Sequence, residues 1–421
     1  MGIPSSEFES HLKDLTFPVA VAVSGGPDSL ALLHLTHAYA LKKKKQIFAL
    51  TVNHGLRHNS EKEALFVKKI AEGKGIPHVI LNWIEDKPFS RIQEKAREAR
   101  YHLLLKWCKD NAIPTLLLGH HQQDQEETFW LRLFSGSGLD GLTGMKYRIE
   151  REGILVVRPF LFFSKERLKA TLIAEKQGWI EDPSNKNTTY FRGRFRSFAE
   201  KEGLSKARLL NVMTKLQEDA DFIQNSLKEA LHQTVHLFEE GYFSIQNEAF
   251  EKLHPALAKR MISFLVRWFS KDSYPPRSTQ VGEILKKLKT TKAFTSGGAY
   301  WIPQATEILV LREVAAMEGM ISLSKLEKPF LWDNRFWVDP LLKNQVSKEE
   351  TFLAPLGAHS FPKEKIISSI PPSVWPTLPA LLAKGKIVSI PHFCYNIDKD
   401  ENQRKFFYLK PLFYDSLMFT I

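Results

Sequence analysis

One short stretch restricts this chain more than any other: VAVSGGPDSLALLHL, residues 21–35. A β-rich apolar run ends at Val23, the polar turn Ser24-Gly25-Gly26-Pro27-Asp28-Ser29 follows, and apolar residues at helical spacing begin at once. A strand feeding a glycine-rich turn and then a helix gathers backbone N–H groups around one concavity. The positive end of the helix dipole points there too. Gly25 and Gly26 have no side chain to obstruct close approach and tolerate positive φ, while Ser24 and Ser29 add hydroxyls. The turn therefore reads as an anion cradle at the carboxyl end of a parallel strand, where open α/β sheets place their ligands. Two common phosphate loops are excluded. No lysine follows Gly26 as GxxxxGK[ST] requires, and GxGxxG is absent.

The surrounding sequence supports that setting. The runs PVAVAV, QIFALTV, PHVILNW, PTLLLGH and GILVVRPF alternate with helix-like segments such as Ser60 to Gly73 and Ser90 to Asn111. Such alternation implies βαβ units with right-handed crossovers, so residues 1–200 are expected to form a doubly wound, parallel α/β domain. The lysines from Lys42 to Lys45 fit a helix C-terminus, where cations are favoured. Residues 201–237 read as a helical connector, one long helix from Ser205 to Leu237. Residues 238–328 read as an α-rich second domain, helical over Asn247 to Ser270 and Ser278 to Thr290, with a hairpin turning at Ser296 to Gly298. Residues 329–421 carry aromatic runs such as PFLWDNRFWVD and KFFYLKPLF and read as a small β-containing C-terminal domain.

Composition narrows the partners. With 421 residues, 43% hydrophobic and 25% charged, the chain is a multidomain globular protein rather than a disordered one. A formal charge of +12 and a pI near 9.4 favour a polyanion, nucleic acid first. Cys108 and Cys394 are the only cysteines and form no CxxC, which excludes a disulfide scaffold and fits reducing, cytoplasmic surroundings. The N-terminus has early acidic residues and no apolar core, so it is no signal peptide, and no stretch is long and apolar enough to span a bilayer. Met1-Gly2 with Ser6 formally matches a short myristoylation pattern that is often accidental.

Ser-Gly-Gly-x-Asp-Ser resembles the pyrophosphate loop of the ATP pyrophosphatases, the PP-loop fold. Its members cleave ATP between the α- and β-phosphates, transfer AMP to a substrate oxygen and leave pyrophosphate in the cradle. Four more blocks narrow the likeness: TVNHGLRHNS from Thr51, IQEKAREARYHLL from Ile92, LGHHQQDQEETFWLRLFSGSGLDGLTGM from Leu118, and RPFLFFSKERLKATLIAEKQGWIEDPSN from Arg158, which leads into YFRGRFR. In this order they resemble the tRNA(Ile)-lysidine synthetases, specifically from Pro18 to about Phe198 and more weakly beyond. That family joins L-lysine to C2 of the wobble cytidine of tRNA(Ile) with a CAU anticodon, giving lysidine, AMP and pyrophosphate. Two departures stand out. Asn53-His54 replaces the family's usual Asp-His, and Arg192-Gly193-Arg194-Phe195-Arg196 replaces Arg-Asn-Arg-x-Arg.

The resemblance implies ATP as substrate, Mg2+ as cofactor, tRNA(Ile) and L-lysine as partners, and no membrane. Ser24, Gly25, Gly26, Pro27, Asp28 and Ser29 are then expected to hold pyrophosphate, and Asp28 and Asp124 to offer the oxygen ligands magnesium prefers. Glu127 shares a helix face with Asp124 and Thr128 at i, i+3 and i+4. With Asp28 it is expected to grip the lysine ammonium groups or take a proton from the attacking amine. His120 and His121 leave the fourth strand above that site. His54, Arg97, Arg100, Gly136, Gly138, Arg192, Arg194 and Arg196 are expected to contact AMP or tRNA, the arginines through phosphates. Glu94 and Glu98 remain alternative partners for the arginines of AREAR, and a plain flexible loop remains the alternative for SGSGLDGLTGM. A tRNA thiolase on the same loop would need catalytic cysteines. A small-molecule amidating ligase would leave the basic charge unexplained, and a non-catalytic RNA-binding relative would have no use for Asp28, Asp124 and both serines.

Overall fold

In the computed structural model, residues 1–56, 60–84, 92–181, 206–270, 275–290, 292–325, 327–339, 341–342, 350–357, 359, 369–393, 395–396 and 407–409 are described. They fall into two compact units, one from Met1 to Ala220 and one beginning at Asp221. In the first, α1 (Ser5–Glu9) precedes β1 (Val19–Ala22), α2 (Pro27–Lys43), β2 (Ile47–Asn53), α3 (Ser60–Gly73), β3 (His78–Asn82), α4 (Ile92–Asp110) and β4 (Thr115–Leu117). Then come α5 (Gln122–Phe134), α6 (Leu139–Leu142), β5 (Arg148–Arg151), β6 (Ile154–Val157) and α7 (Lys165–Ala174). The sheet order is β3-β2-β1-β4-β6-β5. Every pairing is parallel except β5 with β6. This is the expected doubly wound sheet, with an antiparallel edge hairpin that periodicity did not reveal.

Val19 of β1 pairs with Ile47 on one side and Thr115 on the other. The turn after β1 therefore leaves the sheet where its strand order reverses, the position at which open sheets form a ligand crevice. Alternation along β1 sends Val19 and Val21 into one core and Ala20 into another. Leu30 and Leu33 of α2, Val67 of α3 and Leu168 of α7 fill the first core. Tyr101, Leu104, Leu105 and Cys108 of α4 fill the second. Each fully buried leucine contributes about 2 kcal/mol relative to exposure, so both faces are well covered. Pro27 opens α2 with a preset φ and no N–H to leave unpaired. Lys42 and Lys43 occupy the last turn, and Lys44 closes the helix in the left-handed conformation.

The helix expected from Ser205 to Leu237 is α8 (Lys206–Thr234). Its last residues form β7 (Val235–Leu237) instead, paired with β8 (Phe243–Gln246). The helix expected over Asn247 to Ser270 is two, α9 (Asn247–Glu251) and α10 (Pro255–Phe269). Pro255 has no N–H to continue a helix and pushes His254 to φ −57, ψ 138, so the chain must restart there. After α11 (Ser278–Leu288), the expected hairpin joins β9 (Phe294–Ser296) to β10 (Ala299–Pro303). Gly297 and Gly298, at φ +67 and +71, supply the mirror-image turn that a two-residue hairpin needs. With β11 (Glu307–Arg312) these strands form a five-stranded antiparallel sheet. Beyond it lie a second five-stranded sheet and a three-stranded sheet built from Phe330–Trp332, Phe336–Val338 and Phe407–Leu409.

Candidate active site

The turn after β1 is braced from within. Ser24 N–H donates to Ser29 Oγ at 3.1 Å, and the Ser29 hydroxyl donates to Gly26 O at 3.0 Å. That leaves the Ser24 hydroxyl, 3.3 Å away, to donate to Ser29 Oγ. Gly25 sits at φ +85, and a Cβ there would meet Ile180 Cδ1 at 2.9 Å and Val67 Cγ2 at 3.3 Å. Its carbonyl also accepts from Ile180 N–H at 2.9 Å. Only glycine fits. Gly26 is extended, and a Cβ there would meet only Ser24 Oγ, at 3.7 Å, so its side of the turn is open to a ligand.

A buried histidine brackets the two aspartates. His121, 3% exposed, caps α5: its Nδ1 accepts from Gln123 N–H at 3.2 Å, while its own N–H donates to Asp124 Oδ2 at 2.9 Å. The capping bond keeps Nδ1 an acceptor and turns Nε2 toward both carboxylates. Nε2 lies 3.5 Å from Asp28 Oδ2 and 3.7 Å from Asp124 Oδ2. Burial pushes the His121 pKa down, but its bond to Asp28 and the charges of Asp124 and Asp28 outweigh that and raise it. Burial pushes Asp124 up, yet the charge of His121 and its backbone N–H bring it below the ordinary carboxylate value. Asp28 Oδ1 is buried with no hydrogen-bond partner among the described residues. Among the described residues no three His, Cys, Asp or Glu side chains are arranged to hold a metal. The donors instead suit magnesium, which takes one or two carboxylates together with substrate phosphates.

A cavity of about 510 Å³ opens beside the turn. Ser24, Gly26, Asp28 and Ser29 line it with His54, Arg100, His120, Lys165 and Lys169, so four expected site regions and two lysines of α7 meet at one space. His120 is held neutral: burial drives its pKa well down, and Arg158, Arg100 and Arg97 work against Asp124. Its Nδ1 has no hydrogen-bond partner among the described residues. His54 packs edge-on against Trp83, with ring centroids 6.0 Å apart. Asn53 donates from Nδ2 to Asn82 Oδ1 at 3.1 Å, a bond an aspartate could not make, and its Oδ1 accepts from Gly55 N–H. Glu127 is buried on α5 at 3% exposure and lies outside the cavity lining.

The remaining expected residues separate by environment. Arg97 and Arg100 lean on the ring of Tyr101, 5.5 and 5.8 Å from its centroid, while Glu98 pairs with Lys95 at 3.8 Å. A Cβ at Gly136 or Gly138 would meet open space. At Gly144 it would collide with Gln125 Oε1 and Met213 Cε. Gln125 holds Met145 through both its amide atoms, and Arg132 donates to Gly141 O and Gly144 O at 2.7 and 2.8 Å. The glycine-rich run is thus tied to α5 at its far end. Arg192, Arg194, Arg196 and Gly193 lie outside the described residues, as does Cys394. The Cys108 thiol, buried under α4, is pushed up to about 12 and offers no thiolate.

Sequence reasoning missed Gly119, Lys165, Lys169 and Arg158 as site residues, and it placed His121 above the site without its role between the aspartates. Lys169 pairs with Glu181 at 2.9 Å, and Lys165 opens α7 on the cavity wall. The signal for His121 was present: histidine followed three residues later by aspartate has the reciprocal spacing of a capping box. The PP-loop domain family matches residues 6–202. The chain is 34% identical over 397 residues to the tRNA(Ile)-lysidine synthase of Wolbachia sp. subsp. Brugia malayi (strain TRS), covering 91% of each. It is 34% identical to that of Wolbachia pipientis wMel, covering 92% of this chain and 91% of the relative. To that of Ruegeria pomeroyi it is 33% identical, covering 85% and 86%.

Proposed function

This chain belongs to the tRNA(Ile)-lysidine synthase family, and from that premise we infer its reaction and the work of each residue. It ligates L-lysine to C2 of the wobble cytidine of tRNA(Ile) with a CAU anticodon, consuming ATP and giving lysidine, AMP and pyrophosphate. The C2 oxygen of cytidine is a poor leaving group. Bonding it to the α-phosphorus of ATP, with pyrophosphate departing, makes it a good one. A deprotonated amine of lysine then forms the carbon–nitrogen bond at C2, and AMP departs with the oxygen.

Ser24, Gly25, Gly26, Pro27 and Ser29 cradle the departing pyrophosphate at the N-terminus of α2. Asp28 and Asp124 would hold magnesium, which would neutralise charge building on the transferring phosphoryl group. Glu127 and Asp28 draw in the lysine ammonium groups, and one of them takes the proton of the attacking amine. His120, neutral and with an Nδ1 unpartnered among the described residues, is available to hydrogen-bond the pyrimidine or the adenylyl group. His54, Arg97, Arg100, Gly136, Gly138, Arg192, Arg194 and Arg196 contact AMP or the tRNA. A base in a single-stranded anticodon loop can be splayed out to reach such a cavity. The setting is the cytoplasm. No helix among the described residues is long and apolar enough to cross a membrane.

The observation that carries this reading is an open glycine turn joined, beside one cavity, to two carboxylates bracketed by a single buried histidine. Sustained pyrophosphate release, beyond one equivalent per enzyme, is expected only when lysine and tRNA(Ile) with a CAU anticodon are both present. Asp28→Asn is expected to abolish turnover while the fold and most of the tRNA affinity persist. ADP as the by-product, or release without tRNA, would defeat the reading.

A further inference from the structure

A second concentration of positive charge lies across the sheet from the cradle. The cradle opens α2, which packs on the face holding Val19 and Val21; α4 covers the opposite face. There the guanidinium groups of Arg97, Arg100 and Arg151 stand 5.5, 5.8 and 4.7 Å from the centroid of Tyr101. Arg158, only 3% exposed, donates to Tyr101 Oη at 3.4 Å and to Lys146 O at 2.7 Å, and its Nε has no hydrogen-bond partner among the described residues. Three elements thus bring four guanidiniums onto one buried phenol: α4, the end of β5 and the residue after β6. The ring face offsets part of their repulsion. Guanidiniums gathered this closely, with their paired N–H donors, favour an anion among them. The phenol registers the field. Burial pushes its pKa up, but Arg158, Arg97 and Arg100 more than reverse this. The cluster also adjoins the cavity, because Arg100 lines it and His120 feels Arg158, Arg100 and Arg97.

We propose that Arg97, Arg151 and Arg158, gathered on Tyr101 at the His120 edge of the cavity, form a second phosphate subsite that takes a backbone phosphodiester of the RNA substrate beside the base being modified. The assignment of RNA rests on the function given above and follows from chemistry. ATP commits its phosphates to the cradle on the other face, lysine carries none, and the RNA backbone is the phosphate source left. Guanidinium forks suit a phosphodiester through paired N–H donors. Arg158 is anchored by its own hydrogen bonds and positions the subsite; Arg97, which is exposed, and the half-buried Arg151 meet the ligand.

The test uses the full chain and a CAU anticodon stem-loop, with binding measured by fluorescence anisotropy from about 50 to 300 mM KCl, a range over which phosphate contacts weaken steeply. The Arg97→Ala/Arg151→Ala variant is expected to lose about tenfold or more in RNA affinity, and its log–log salt slope to flatten by roughly 1 to 2, about one contact per arginine. Arg151→Lys should recover much of the slope but less of the affinity, since a point charge replaces a fork. Arg151→Ala should bind ATP as the unaltered chain does, by calorimetry. RNA affinity and slope both unchanged in the double variant, with native melting, would overturn the proposal, as would an equal loss of ATP affinity. Failure of the unaltered chain to release pyrophosphate with tRNA and lysine would instead sink the function on which it rests.

Discussion

An added Cβ at Gly119 would lie 3.2 Å from the carbonyl carbon and oxygen of Asp28 and from Ser29 N. All three are backbone atoms at the start of α2, so they cannot swing aside as a side-chain tip would. Gly119→Ala is therefore expected to shift the first turn of α2, raising the dissociation constant for ATP about tenfold, ~1.4 kcal/mol, with little change in melting temperature. Calorimetric titration with ATP checks this, and unchanged affinity would show that the close approach does not control the turn. The same scale shows what the sequence withheld about GHHQQDQEET. His120 leaves the strand as expected, but its neighbour His121 holds both aspartates. Which of two adjacent histidines caps a helix depends on backbone angles, here φ −127 and ψ −179 at His121, and no residue pattern states those.

In the second unit the three-residue turn between Phe330–Trp332 and Phe336–Val338 places Asp333 and Asn334 at positive φ and buries two cations on one carboxylate. Arg312 Nε donates to Asp333 Oδ1 and Oδ2 at 3.1 and 3.2 Å, and Arg335 Nε donates to Oδ2 at 2.8 Å. Arg335 is fully buried and reaches Gly241 O and Thr377 O; Arg312 reaches Gly298 O and Ala316 O. One aspartate thus ties the β9–β10 turn, β11, the Phe330–Val338 hairpin and the Thr377 segment. Burial lowers the Arg335 pKa to about 10, and Asp333 opposes a further fall. Asp333→Asn leaves two buried guanidiniums uncompensated. It is expected to cost about 3–5 kcal/mol in denaturant unfolding of the second unit, the usual result of removing one partner from a buried pair. A loss below ~1 kcal/mol would show that water reaches this network. The hairpin at Gly297-Gly298 was legible because turn chemistry is local. The edge pairing of Val235–Leu237 was not, because a short run joins a sheet only when a partner strand arrives.

For the whole chain, four half-buried histidines of the first unit, His11, His34, His37 and His78, have pKa values below the ordinary histidine value, each chiefly through burial. Glu7, Glu175 and Glu72 pull His11, His34 and His78 back only in part. The unfolded chain therefore binds more protons than the native one once pH falls below about 6.5. The stability these groups contribute is present above that value and is lost as pH drops through it toward their folded values. The melting temperature of the first unit is expected to fall between pH 7.5 and 5.5. His78→Gln, which keeps a partner for the Thr51 hydroxyl now 2.8 Å from Nε2, should flatten the decline. A melting temperature unchanged over that interval would remove these histidines from the account.

The sequence by itself determined the parallel strand–helix alternation of the first unit, the glycine turn after β1 and the hairpin at Ser296 to Gly298. Periodicity, turn chemistry and helix starts act within a few residues, so they can be read along the chain. Only the tertiary structure decided that Gly119 abuts Asp28, that His121 rather than His120 links the aspartates, and that arginines from positions 97 to 158 converge on one tyrosine. Those contacts depend on crossovers and strand register, which bring together atoms that local preferences leave far apart.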